Sequence, residues 1–149
     1  MSFTQPSLKG RALRLLSGRE HSRAELERKL QGFEEEPGTL VRALDELQAK
    51  GFINEARVIE SVLHRRAAKL GTSRIKQELQ GKGLDPEAVS EALAGLKATE
   101  QARAQEVWCK KFGTPPADAQ AAAKQMRFLA ARGFGGEVIR KVVAGGSDD

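Results

Sequence analysis

The stretch LQGKGLDPEA (Leu79–Ala88) decides how this chain reads, because it returns twice more in nearly the same form. LQAKGFINEA occupies Leu47–Ala56, and LAARGFGGEV occupies Leu129–Val138. Each copy runs Leu, two residues, Lys or Arg, Gly, a large apolar residue, two residues and Glu. Such a recurrence in a short chain suggests a duplicated supersecondary unit.

The Gly of the motif suits a left-handed C′ position at a helix end, and the apolar residue after it can pack back on the finished helix, as a Schellman ending favours. Reuse of one C-cap would by itself repeat a Lys-Gly pair. The wider register argues for more. Aligning Leu79 with Leu129 also aligns Gly83 with Gly133, Leu84 with Phe134, Val89 with Ile139 and Leu93 with Val143. Residues 30–44 fit the same place nearer the start with a different loop, whereas LQAKGFINEA joins the third helix of one set to the first of the next.

Working outward, glycines mark off the other helices. Leu8–Leu16 closes at Ser17-Gly18, and Ser22 with Glu25 offers a capping box for RAELERKL. Pro37 suits the first turn of a helix that carries Leu40, Val41, Leu44 and Leu47 as its apolar stripe and ends at Gly51. Asn54 caps a helix expected to run to about Leu70 and to end at Gly71. At about 100° per residue its Ile59, Val62, Leu63, Ala67 and Leu70 share one arc, opposite Arg57, Glu60, His64 and Arg65. SRIKQELQ follows, ended by Gly81–Gly83, and Asp85-Pro86 starts the next helix. The last third repeats the plan, with a long helix to Phe112, a GTPPAD loop, a helix from about Ala117 and a short one after Gly135-Gly136.

The fold class is therefore all-α: three tandem three-helix repeats forming an elongated, curved array, with each repeat expected to pack mainly on its neighbours. The expected divisions are a disordered start at 1–7, repeats at 8–53, 54–97 and 98–143, and a disordered tail at 144–149. Composition agrees, since helix formers dominate, Tyr is absent and Phe and Trp are few.

Cys109 is the only cysteine, so no intrachain disulfide forms, and His21, His64 and Cys109 lack the spacing of a zinc site. No base stands near a plausible nucleophile and no glycine loop has the pattern of a phosphate cradle, so neither an enzyme nor a cofactor is expected. No signal peptide or membrane span is legible, and the chain reads as cytoplasmic. Its net charge of +5 suggests an acidic partner. That charge is uneven. Residues 57–82 hold Arg57, Arg65, Arg66, Lys69, Arg74, Lys76 and Lys82 against Glu60 and Glu78, whereas residues 19–60 are net acidic.

Gly51–Leu84, GFINEARVIESVLHRRAAKLGTSRIKQELQGKGL, resembles the central signature of the RecX family of recombinase regulators. KKFGTPPADAQAAAKQMRFLAARGFGGEVIRKVV (Lys110–Val143) is similar to that family's closing repeat. The resemblance spans roughly residues 8–143 and is loosest over the first repeat. It departs where an aromatic residue and Ala usually follow NEAR, since Val58 and Ile59 stand here. The resemblance implies tandem three-helix repeats and a non-enzymatic monomer. That protein would bind the RecA recombinase, chiefly as its filament on single-stranded DNA, and restrain ATP hydrolysis, strand exchange and co-protease activity. Whether DNA is itself touched weakly is left open.

The partner-binding candidates are Arg65, Lys69, Arg74 and Lys76, continued by Arg127 and Arg132 in the last repeat; singly, each is equally readable as a solvated charge. Arg66 falls inside the apolar arc, which favours snorkelling or a pair with a carboxylate of the first repeat. Trp108 reads as core. The alternative function is a helix-turn-helix DNA-binding regulator built on REHSRAELERKL (Arg19–Leu30), although Glu25 and Glu27 sit awkwardly on a recognition helix.

Overall fold

The computed structural model describes residues 5–145, and among these nine α-helices and one short 3-10 turn occur, with no strand. The first set is α1 (Leu8–Gly18), α2 (Arg23–Leu30), the 3-10 turn Gln31–Phe33 and α3 (Thr39–Ala49). The second is α4 (Glu55–Arg66), α5 (Thr72–Gly81) and α6 (Pro86–Lys97). The third is α7 (Glu100–Lys111), α8 (Ala119–Ala131) and α9 (Gly136–Val143). The terminal segments expected to be disordered fall mostly outside the described residues; Ser7 itself caps α1 by accepting the Gly10 N–H.

The thrice-used motif is a helix end fused to a helix start. Gly51, Gly83 and Gly133 have φ of 84°, 66° and 91°, a conformation in which a Cβ is costly. After α3 and α8 the Schellman bond forms, Phe52 N–H to Leu47 C=O at 2.9 Å and Phe134 N–H to Leu129 C=O at 3.3 Å. The motif's closing Glu55, Glu87 and Glu137 stand in the first turns of α4, α6 and α9. There an acid complements the helix dipole. Leu84 and Phe134 are buried as the motif requires. In the connecting copy, Phe52 remains exposed and Ile53 turns inward in its place.

α4 stops at Arg66, and the turn 67–70 leads into Gly71, which is the N-cap of α5 rather than the C′ residue of α4. Its φ of −80° suits any residue. Glycine is needed there for space: a Cβ would lie 2.3 Å from the carbonyl carbon and oxygen of Gly133.

Three separate cores lie in series. Leu26, Leu30, Leu40, Leu44, Leu47 and Ile53 form the first with Ala12. Val58, Ile59, Val62, Ile75, Leu79, Leu84, Val89 and Leu96 form the second. Trp108 and Leu129 centre the third with Phe134, Ile139, Val142 and Val143, and the Trp108 indole N–H donates to Gln125 at 2.8 Å. The closely packed helix pairs, such as α1 with α3, α5 with α6 and α7 with α9, all lie within one repeat. Each repeat therefore packs mainly on itself, contrary to the solenoid expectation. The reason is that three amphipathic helices, meeting around one centre, already bury their apolar stripes.

The junctions between repeats are narrow, polar and built to one plan. The start of each repeat's second helix meets the end of the next repeat's second helix. In the first junction, the Ser22 hydroxyl donates to the Lys82 carbonyl at 2.6 Å, Arg28 donates to the Gly81 carbonyl at 2.9 Å, and Gly83 lies against Ala24. In the second, the Gly71 N–H donates to the Arg132 carbonyl at 2.7 Å and the Ser73 N–H to the Gly133 carbonyl at 3.3 Å. The side chains differ. Lys82 is buried against Glu25, 3.2 Å away, whereas its counterpart Arg132 has no such carboxylate partner among the described residues. Arg132 lies instead over the Phe128 ring, and Arg74 donates to the Ala131 carbonyl at 2.7 Å.

Candidate functional site

Most of the positive charge between Arg57 and Lys82 is held within the fold. Arg57 pairs with Glu20 at 2.9 Å and Lys82 with Glu25 at 3.2 Å. Arg65 and Arg66 share Glu78 at 3.6 Å and 3.1 Å. Arg66 thus meets a carboxylate of its own repeat, not of the first, and its side chain is 46% exposed. α4 ends at Arg66, and Ala67 and Leu70 in the turn beyond pack on the second core while the Arg66 side chain turns to Glu78 on α5. Lys69 and Lys76 are exposed and make no ion pair among the described residues.

Residues two apart on an α-helix point about 200° apart, so Arg74 and Lys76 leave α5 on opposite flanks of the Ile75–Leu79 stripe. On one flank, Glu78 holds Arg65 and Arg66, and Arg74 one turn earlier reaches the end of α8. There the Arg132 guanidinium sits 4.9 Å and the Lys111 ammonium 5.5 Å from the Phe128 ring centre. Phe128 is braced edge-on by Phe112 at 5.4 Å. Arg127, exposed, stands on α8 one turn before Ala131. Lys69 lies in the turn after α4. Arg65, Arg74 and Arg132 therefore join in one ridge across the second junction, with Lys69 in the turn after α4 and Arg127 immediately before Phe128 on α8. Lys76 is set apart. It lines a cavity of about 460 Å³ with Ser73, Ser90, Leu93, Lys97 and Gly133.

The residues that fix this ridge include several that sequence reasoning missed. Arg103 on α7 donates to the Ala67 and Leu70 carbonyls at 2.8 and 2.6 Å, closing the open end of α4 from the next repeat. Burial lowers its pKa, opposed by the charge of Glu100. Glu100 is itself buried and accepts the Thr72 N–H at 2.8 Å, at the start of α5. At the first junction, burial alone would raise the pKa of Glu25. The Arg19 guanidinium, the Ser22 N–H and Lys82 outweigh that and draw it down to about 2. Of these contacts only the Ser22–Glu25 capping box was legible in the sequence. Nothing in the chain announced that the Lys82 and Arg132 backbone carbonyls would be the acceptors.

Among the described residues no group of His, Cys, Asp and Glu is placed to hold a metal ion, and no helix is long and apolar enough to cross a membrane. Cys109 is exposed and Trp108 is buried.

Comparison with known proteins covers the whole array. Family profiles described as the first, second and third three-helix domains of RecX match residues 9–47, 54–93 and 98–143 in that order. The chain is 52% identical over 139 residues to "Regulatory protein RecX" of Leptothrix cholodnii, covering 93% of this chain and 88% of that one. It is 50% identical over 140 residues to the protein of the same name from Herminiimonas arsenicoxydans, covering 94% and 93%. In fold it matches the crystal structure of RecX from Lactobacillus salivarius with a TM-score of 0.70 at 21% identity, covering 92% of each chain. A further crystal structure of a regulatory protein RecX matches with a TM-score of 0.73 at 18% identity, covering 91% of this chain and 70% of the other. With all three domains present in order, the chain belongs to the RecX family of regulatory proteins.

Proposed function

We propose that this chain binds the RecA recombinase, chiefly as its filament on single-stranded DNA, and restrains RecA's ATP hydrolysis, strand exchange and co-protease activity. It does so in the cytoplasm as a non-enzymatic monomer without a cofactor. The observation that carries the reading is the ordered match to all three RecX domains, supported by relatives named regulatory proteins. The ridge of Arg65, Lys69, Arg74, Arg127 and Arg132 supplies a contact surface for acidic protein or phosphate, and Lys76, on the opposite flank of α5, offers a separate contact. A helix-turn-helix reading is less favoured, because the start of α2, which would meet base edges, is plugged into the second repeat through Ser22, Glu25 and Lys82.

The test is RecA's ATP turnover on single-stranded DNA as this chain is titrated in. Turnover should fall, and reversing the unpaired Lys69 and Arg127 to Glu should restore it while helicity is unchanged, since exposed charges contribute little to folding. Where phosphates are the contacts, affinity falls with salt at a log–log slope of about −0.7 per neutralised charge. Undiminished turnover at saturating protein sinks the reading. Inhibition by the double reversal equal to the parent's would remove the ridge from it.

A further inference from the structure

The first repeat carries a groove that neither the junctions nor the basic ridge uses. It encloses about 430 Å³ between α1, α2 and the 3-10 turn, with a floor of Pro6, Gly10, Leu15, Leu30 and Phe33. Its rim is Arg11, Arg14 and Lys29, and no carboxylate lines it. Phe33 is 49% exposed, one of few large apolar side chains left in water, and the Arg11 guanidinium lies 3.9 Å over its ring. Lys29 is held in place by a hydrogen bond to Nε2 of the buried His21 at 3.0 Å, while His21 Nδ1–H reaches the Arg19 carbonyl at 3.1 Å. Arg14 makes no ion pair among the described residues. Past Phe33 and Arg11 the groove opens into a second hollow walled by Glu35 and Glu36.

We propose that this groove docks an extended segment of a partner protein, acidic on one side of a large apolar anchor and basic on the other. The anchor covers Phe33 and the half-buried Leu15 and removes apolar surface from water. The acidic half meets Arg11, Arg14 and Lys29, where charge-assisted bonds form. The basic half meets Glu35 and Glu36. A nucleic-acid strand matches less well, because its unbroken phosphate charge runs from the cations onto two glutamates. The inference does not depend on RecA being the partner.

The experiment uses the full chain and a fluorescein-labelled peptide of sequence EDELFKSK, read by anisotropy. Saturable binding is expected, weakened about tenfold by Arg14→Glu and about tenfold by Phe33→Ser. It should be unchanged by Lys97→Glu and lost when Ser replaces the peptide's Leu-Phe pair. Both substituted residues are exposed, and circular dichroism verifies that the variants fold. Absent binding, or binding indifferent to both groove variants, overturns the proposal. So does displacement of the peptide by oligothymidylate with the same Arg14→Glu sensitivity, or a dimer of this chain abolished by Phe33→Ser. Because the readout contains no RecA, its outcome is separate from that of the turnover assay.

Discussion

Gly71→Ala is the most informative single change in this chain. The φ of −80° and ψ of 167° at Gly71 suit alanine, so the substitution adds no local strain. The whole effect comes from across the junction, where the new Cβ would stand 2.3 Å from the Gly133 carbonyl and 2.4 Å from the Phe134 nitrogen. Those are backbone atoms, unable to swing aside as a side chain would. The second and third repeats must move apart. Parting breaks the Gly71–Arg132 and Ser73–Gly133 bonds, worth about 1 kcal/mol each. It also weakens the Thr72–Glu100 and Arg74–Ala131 bonds, which are charge-assisted and worth about 1.5–3 kcal/mol each. The loss is thus at least about 2 kcal/mol, but it falls on the junction and not on the cores, which are complete within each repeat. Circular dichroism should remain that of the parent. Amide exchange at Thr72 and Ser73 should accelerate by about 30-fold or more, the factor that corresponds to 2 kcal/mol. Scattering should broaden as the two repeats move independently. Gly81→Ala, where a Cβ meets nothing within 4 Å, serves as the control and should be neutral or stabilising. Parent-like protection of Thr72 and Ser73 in Gly71→Ala would refute the close-approach argument.

The first junction should respond to acid instead. Glu25 has its pKa lowered from 4.5 to about 2. Its contribution is therefore complete above about pH 4.5 and is lost as pH falls through about 2; Glu25→Gln should flatten that part of the stability–pH profile in urea titrations. Removing its carboxylate also strands the buried Lys82, so Glu25→Ala should cost about 3 kcal/mol at neutral pH. Arg66→Ala, removing a half-exposed ion pair, should cost less than about 1 kcal/mol by denaturant unfolding. In the third repeat, Gln125→Leu leaves the Trp108 indole N–H without its buried acceptor and should cost about 1–3 kcal/mol. The single tryptophan reports that unfolding directly by fluorescence.

The sequence by itself determined the helices and their order. Local chemistry sets both: glycine where φ is positive at 51, 83 and 133, Ser22 and Asn54 as caps, and apolar residues at helical spacing. The family resemblance was equally legible, because it resides in contiguous residues. What only the tertiary structure decided is which charges remain available. Seven cations between Arg57 and Lys82 look alike in the sequence, yet Arg57, Arg65, Arg66 and Lys82 are ion-paired and Arg74 is spent on a carbonyl. Their partners lie as far as 57 positions away, at Ala131 from Arg74 and at Glu25 from Lys82. Gly71 shows the same limit from the other side. A helix stop and a close approach both call for glycine, and the difference depends on Gly133, which reaches it only when the repeats dock. Periodicity and capping act within a turn or two of chain, whereas docking places groups from separate repeats within hydrogen-bonding distance, and no local pattern encodes that pairing.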